Sequence, residues 1–125
     1  MTGVAGLTGT ARADDAVADV CGDGCGEGCD TCGAACLACV DSCLDEPGRK
    51  ECIKLCLDCA DICYTRSKVS ARKGPMAGEL MALCAKACDQ CADECEKHKD
   101  DKTCMTCAKH CRACAEKCRA AAKAN

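Results

Sequence analysis

The sequence predicts an all-α protein, an antiparallel four-helix bundle with a cysteine-lined core, and three observations lead there. The first is composition: 20 of the 125 residues are Cys, Trp and Phe are absent, and Tyr64 is the one aromatic residue. The second is spacing, because the cysteines fall into four blocks and every step inside a block is 3 or 4 residues. The third is punctuation: Glu46-Pro47-Gly48, Lys73-Gly74-Pro75 and His98-Lys99-Asp100-Asp101 stand between the blocks. Steps of 3 and 4 return to one face of an α-helix and alternate to the seven-residue repeat that keeps a seam turned toward neighbouring helices. A strand would need a period of 2. Short links make successive helices antiparallel neighbours.

The first block holds Cys21, Cys25, Cys29, Cys32, Cys36, Cys39 and Cys43. A helix is expected over 29–45; Cys21 and Cys25 continue its phase, but Gly22, Gly24, Gly26 and Gly28 each cost about 1 kcal/mol relative to Ala in a helix. The second block, Cys52, Cys56, Cys59 and Cys63, predicts a helix over 49–71, with Pro47 suited to its start. The third, Cys84, Cys88, Cys91 and Cys95, predicts one over 76–98 after Pro75. The fourth, Cys104, Cys107, Cys111, Cys114 and Cys118, predicts one over 102–122, capped by Asp100 or Asp101. Arg66, Lys68, Lys97, Lys99, Lys117 and Arg119 gather toward helix ends, as the helix dipole favours.

A chain of 125 residues is enough for one domain. Residues 21–125 are read as the bundle and 1–20 as a signal-peptide remnant or disordered tail. Met1–Ala13 is small and weakly apolar and ends in Ala11-Arg12-Ala13, the pattern of an export cleavage site without a basic start. Two readings stand: a longer signal, a twin-arginine one among them, implying an exported or periplasmic protein, or a tail on a cytoplasmic one.

Composition also excludes. With a single aromatic residue the chain lacks the material for a base-stacking surface or an aromatic-lined pocket. Its 17 Lys and Arg are interleaved with 20 Asp and Glu, for a net charge of −3, so no nucleic-acid partner is expected. No stretch approaches the roughly 18 apolar residues of a membrane span, and no membrane partner is expected. No nucleophile stands with a distinct base, so no enzyme is expected.

What remains is a bundle whose inward residues are nearly all thiols. Packing alone does not account for it, since Ala, Val or Leu would fill a core without the risk of oxidation. Disulfides within a helix are ruled against by geometry: Cβ atoms four residues apart are about 5–6 Å apart, against roughly 3.5–4.5 Å in a disulfide. Bridges between helices stay open at this point. A metal ion removes the difficulty, because two sulfurs at i and i+4 can lean toward one ion. Thiolates select Cu(I), Zn(II) or iron–sulfur clusters. Zinc takes four ligands, and four thiolates leave a buried charge of −2 on each site. Iron–sulfur motifs place a Pro after a Cys, which occurs nowhere here. Cu(I) tolerates two or three sulfurs and bridging thiolates, and at one ion per thiolate leaves the interior neutral.

The reading is therefore a store of many Cu(I) ions, loaded from copper ions or small copper–ligand complexes, with a metallothionein-like Zn(II)/Cd(II) buffer as the alternative. A redox protein is the third class. Every cysteine named above is a candidate ligand. The phase of the third helix adds Met81 and His98 at its two ends, with His98 placed beside Cys52, Cys104 and Cys43 at one mouth. His110, on the flank of the fourth helix, is expected to be exposed. Leu37, Val40 and Leu44, like Leu55, Ile62 and Val69, form stripes that would seal gaps between helices or join subunits.

Two stretches, Cys91-Ala-Asp-Glu-Cys95-Glu-Lys-His98 and Cys104-Met-Thr-Cys107-Ala-Lys-His-Cys111-Arg-Ala-Cys114-Ala-Glu-Lys-Cys118, resemble the cysteine-rich copper storage proteins, a four-helix-bundle family. The resemblance spans about residues 29–120, helped by Cys52-Ile-Lys-Leu-Cys56-Leu-Asp-Cys59-Ala-Asp-Ile-Cys63. It implies a homotetramer of bundles holding Cu(I) on inward C-x3-C thiolates, with a His near one mouth. The glycine-rich Cys21–Cys29 segment departs from the pattern.

Overall fold

The computed structural model describes residues 26–124, and side chains from 29 to 123. Four helices make up its regular structure: α1 (Gly26–Cys43), α2 (Lys50–Ala71), α3 (Ala77–Cys95) and α4 (Lys102–Ala124). Helix α1 takes in Gly26 and Gly28, starting three residues before the expected position and ending two before it. Cys21 and Cys25 lie outside the described residues.

The helix ends follow from where their backbone groups go. At the end of α1 the N–H of Glu46 reaches the carbonyl of Cys43 at 3.1 Å, and Gly48 turns the chain with φ 74°, a conformation glycine adopts without penalty. Helix α3 stops at Cys95, not at 98: the N–H groups of Lys97 and His98 bond three residues back, to Glu94 and Cys95 at 3.1 and 3.0 Å. That tightened turn satisfies the last carbonyls and puts His98 beyond the helix. Asp101 caps α4, its Oδ1 accepting from the N–H of Thr103 at 2.9 Å and of Cys104 at 3.1 Å. Both prolines sit in links, ahead of the residues that begin α2 and α3.

The helices form a square. α1 packs on α2 and α4, and α3 packs on the same two. α1 and α3 occupy one diagonal, α2 and α4 the other. The interior is built from Cys with Ala60, Ala85, Ala92, Ala108 and Ala115, and Val40, Ile53, Ile62, Tyr64 and Met105 lie partly buried against it. Such small side chains let the helices close until their sulfurs meet on the axis. Gly33 lets α1 come close to α2, for a Cβ there would stand 2.8 Å from the Tyr64 ring.

The apolar stripes divide. Val69 is buried and Val40 and Ile62 pack on the core, while Leu37 and Leu44 are 44% and 61% exposed. Arg66, placed toward a helix end by the sequence, is fully buried. His110, expected to be exposed, is buried as well, because the turn of α4 that seats Cys111 on the axis carries its neighbour into a helix interface. No helix among the described residues is long and apolar enough to cross a membrane.

Candidate metal centre

Eighteen of the twenty cysteines are described, and all are buried and in no disulfide. Each helix delivers its block inward, because the 3/4 spacing holds the sulfurs on one stripe. The result is a continuous column of sulfur. Along one diagonal, Cys29 faces Cys84, Cys32 faces Cys88, Cys36 faces Cys91 and Cys39 faces Cys95, at 3.8–3.9 Å. On the other diagonal, Cys59 and Cys111 are 3.9 Å apart. Within helices the i, i+4 pairs lean together as well, Cys59 with Cys63 at 3.9 Å and Cys114 with Cys118 at 3.8 Å. These separations are nearly twice a disulfide bond, so the bridges between helices that the spacing left open are not formed among the described cysteines.

The sulfurs group in fours. Cys29, Cys84, Cys114 and Cys118 form one quartet, Cys32, Cys63, Cys88 and Cys114 the next, then Cys32, Cys59, Cys88 and Cys111. Cys36, Cys59, Cys91 and Cys111 follow, and Cys39, Cys52, Cys56 and Cys95 lie nearer the other end. Neighbouring quartets share members: Cys32, Cys59, Cys88, Cys111 and Cys114 each belong to two. A sulfur shared by two filled quartets would bridge them.

Burial opposes charge here. It pushes the Cys52 thiol up and the Cys104 thiol up to about 12, well above the usual cysteine value. Inside the column one thiolate hinders the next: Cys107 and Cys111, 3.9 Å apart, are driven in opposite directions, Cys107 down and Cys111 up. Loading with a cation must therefore expel protons.

The mouth formed by the α1–α2 and α3–α4 links holds one more polar group than the sequence led us to expect. Here Cys39, Cys43, Cys52 and Cys104 come together, with Cys39–Cys104 at 3.2 Å, Cys43–Cys104 at 3.6 Å and Cys43–Cys52 at 3.8 Å. His98 lies at this end, its side chain 16% exposed, with Nε2 3.4 Å from the Glu94 carboxylate. The group standing on the thiols is Arg49. Its Nη1 donates to Cys43 Sγ at 3.2 Å and Cys104 Sγ at 3.6 Å, and to Asp101 Oδ2 at 2.9 Å. The Ser42 hydroxyl donates to the same Asp101 oxygen at 2.8 Å. The Arg49 guanidinium holds the Asp101 carboxyl well below the usual carboxylate range. At the far end Met81 is buried in the phase of the α3 cysteines.

Sequence reasoning missed Arg49 and the burial of Arg66, though the spacing carried both. Arg49, Cys52, Cys56, Cys59, Cys63 and Arg66 are one unbroken run of 3/4 steps, so the inward seam of α2 has an arginine at each end.

Comparison with known proteins agrees with this geometry. Residues 19–123 match the family described as copper storage protein. Among solved structures, a Cu(I)-bound copper storage protein, BsCsp3, is 42% identical with a TM-score of 0.73, covering 77% of this chain and 92% of that one. Apo-Csp3 from Bacillus subtilis is 42% identical with a TM-score of 0.74, covering 80% and 97%. A mutant of Streptomyces lividans Ccsp is 33% identical with a TM-score of 0.76, covering 88% and 94%. A curated relative, the cysteine-rich protein YhjQ of Bacillus subtilis, is 42% identical over 57 residues. That match covers 46% of this chain and spans about half the length of the relative, 52%. With residues 19–123 matching that family, the chain belongs to the copper storage protein family.

Proposed function

We propose that the chain stores Cu(I), taking up many ions along the column and holding them on thiolates that bridge from one ion to the next. The observation that carries this is the sharing of sulfurs between quartets. Separate tetrahedral zinc sites need four sulfurs of their own, and each would leave a buried charge of −2. Cu(I) accepts fewer sulfurs and tolerates bridging, so overlapping groups suit it. The Cu(I) carried by BsCsp3 supports the same reading.

The ligand set we propose is all twenty cysteines, Cys21 and Cys25 included, with His98 as an imidazole at the rim of the mouth. Storage asks for no catalytic group, and we read the chain as non-enzymatic. Copper ions or small copper–ligand complexes are its proposed partners. We also propose that bundles associate, as a tetramer by family likeness. Exposed Leu37, Leu44, Leu57 and Leu83 offer surface for this, and Leu55, Ile62 and Leu83 line a groove of about 100 Å³ between α2 and α3.

An anaerobic competition separates storage of copper from a zinc buffer. Protein saturated with Zn(II) and then given excess Cu(I) should surrender its zinc. Zinc that survives excess Cu(I) would favour the buffer.

A further inference from the structure

Arg49 stands immediately before α2 and Asp101 immediately before α4, and these two helices lie on opposite corners of the square. Each residue extends its helix's run of cysteines by one step of 3, Arg49 to Cys52 and Asp101 to Cys104, so both are carried to the axis of the bundle. There they meet at 2.9 Å. The ion pair thus spans the end of the sulfur column along a diagonal that the backbones leave open. It is well sheltered, with side chains 13% and 12% exposed. It is also held from both sides: Ser42 of α1 donates to the Asp101 carboxylate, and Arg49 donates to Cys43 and Cys104 below it.

Resting on the storage reading, we propose that Arg49, braced by Asp101, is a crossbar that sets how fast Cu(I) passes this mouth without setting how much the column holds. The N–H donors of Arg49 occupy the outward side of Cys43 and Cys104, where an incoming ion or a withdrawing chelator must approach. Passage requires the guanidinium to leave those sulfurs, and the ion pair with Asp101 opposes that movement. Arg49 is a positioning residue, since its guanidinium has only N–H donors and offers copper no lone pair.

The test is a split between rate and capacity. Reduced protein is loaded anaerobically with Cu(I), its capacity is measured, and the ions are withdrawn by excess bathocuproine disulfonate while the coloured complex is followed. Asp101→Asn is the informative partner to Arg49→Ala, because Asn caps a helix as well as Asp, while the oxygen that accepts from Arg49 and Ser42 is replaced by an NH2 that cannot. Both variants should keep the parent's capacity and release copper on the order of tenfold faster, the factor carried by about 1.4 kcal/mol. The chelator is anionic, so a mere effect of charge at the mouth would slow release from Arg49→Ala and speed it from Asp101→Asn. Opposite shifts, or rates equal to the parent's in both, overturn the crossbar and leave storage standing. A parent protein that takes up no more than an ion or two overturns storage itself. Arg49→Gln replaces the alanine variant should far-ultraviolet circular dichroism show lost helix.

Discussion

Cys59 on α2 and Cys111 on α4 come from helices on opposite corners of the bundle, and their sulfurs are 3.9 Å apart. Diagonal helices of a four-helix bundle ordinarily face each other across layers of large apolar side chains. Here two sulfurs in contact fill the space, so at this level of the column the core has no depth to spare for anything larger than a thiol.

A bulkier residue in the middle of the column is therefore expected to destabilise rather than fill. Cys59→Leu should lower stability by about 1–3 kcal/mol, the usual cost of overpacking, even though Leu is the more hydrophobic side chain. Chemical unfolding of the reduced, metal-free protein measures this, and a midpoint at or above that of the parent would contradict it.

Gly33 and Tyr64 are expected to be energetically coupled. Ala gains about 1 kcal/mol over Gly inside a helix, but a Cβ at position 33 stands 2.8 Å from the Tyr64 ring. In a Tyr64→Ala background, Gly33→Ala should bring that full gain. In the parent the clash should remove it. A double-mutant cycle on unfolding free energies reads the difference directly, and equal effects in both backgrounds would show that the ring does not restrict α1.

The metal-free protein is expected to lose stability in alkali. Cys52 and Cys104 have their thiol values raised by burial, Cys104 to about 12, whereas an unfolded thiol titrates near 8.5. The folded state therefore keeps protons that the unfolded state gives up. The stabilisation is complete below about 8.5 and fades as pH climbs through the folded value. Thermal midpoints should fall above pH 8.5 in the parent and less steeply in Cys104→Ser. Copper-loaded protein should not show the fall, because a metal-bound thiolate has no proton left to lose. A midpoint that rises with pH in the metal-free protein would contradict the sign.

Spacing made most of this molecule legible. The 3/4 steps place the described cysteines on the axis, and the links, with Asp100 or Asp101 as a cap, locate the starts of α2, α3 and α4 to within a residue, because both signals are local. The third helix was read too long because the sulfur phase runs on to His98, while the backbone tightens after Cys95. Charge hides the two ends of the α2 seam: Arg49 and Arg66 lie in phase with its cysteines, but cations near helix ends are usually solvated. His110 stands one residue off the seam, ordinarily a flank position, and is buried, whereas Leu83, likewise one residue before a seam cysteine, is exposed. The contact of Gly33 with Tyr64 joins two helices and has no signature within either.

Titration of the reduced protein with Cu(I) under anaerobic conditions, with released protons and remaining free thiols counted together, tests the central claim most directly. Many ions should bind per chain, with protons leaving and free thiols disappearing in step until the column is full. Saturation after an ion or two, with most thiols still free and no protons released, would contradict it.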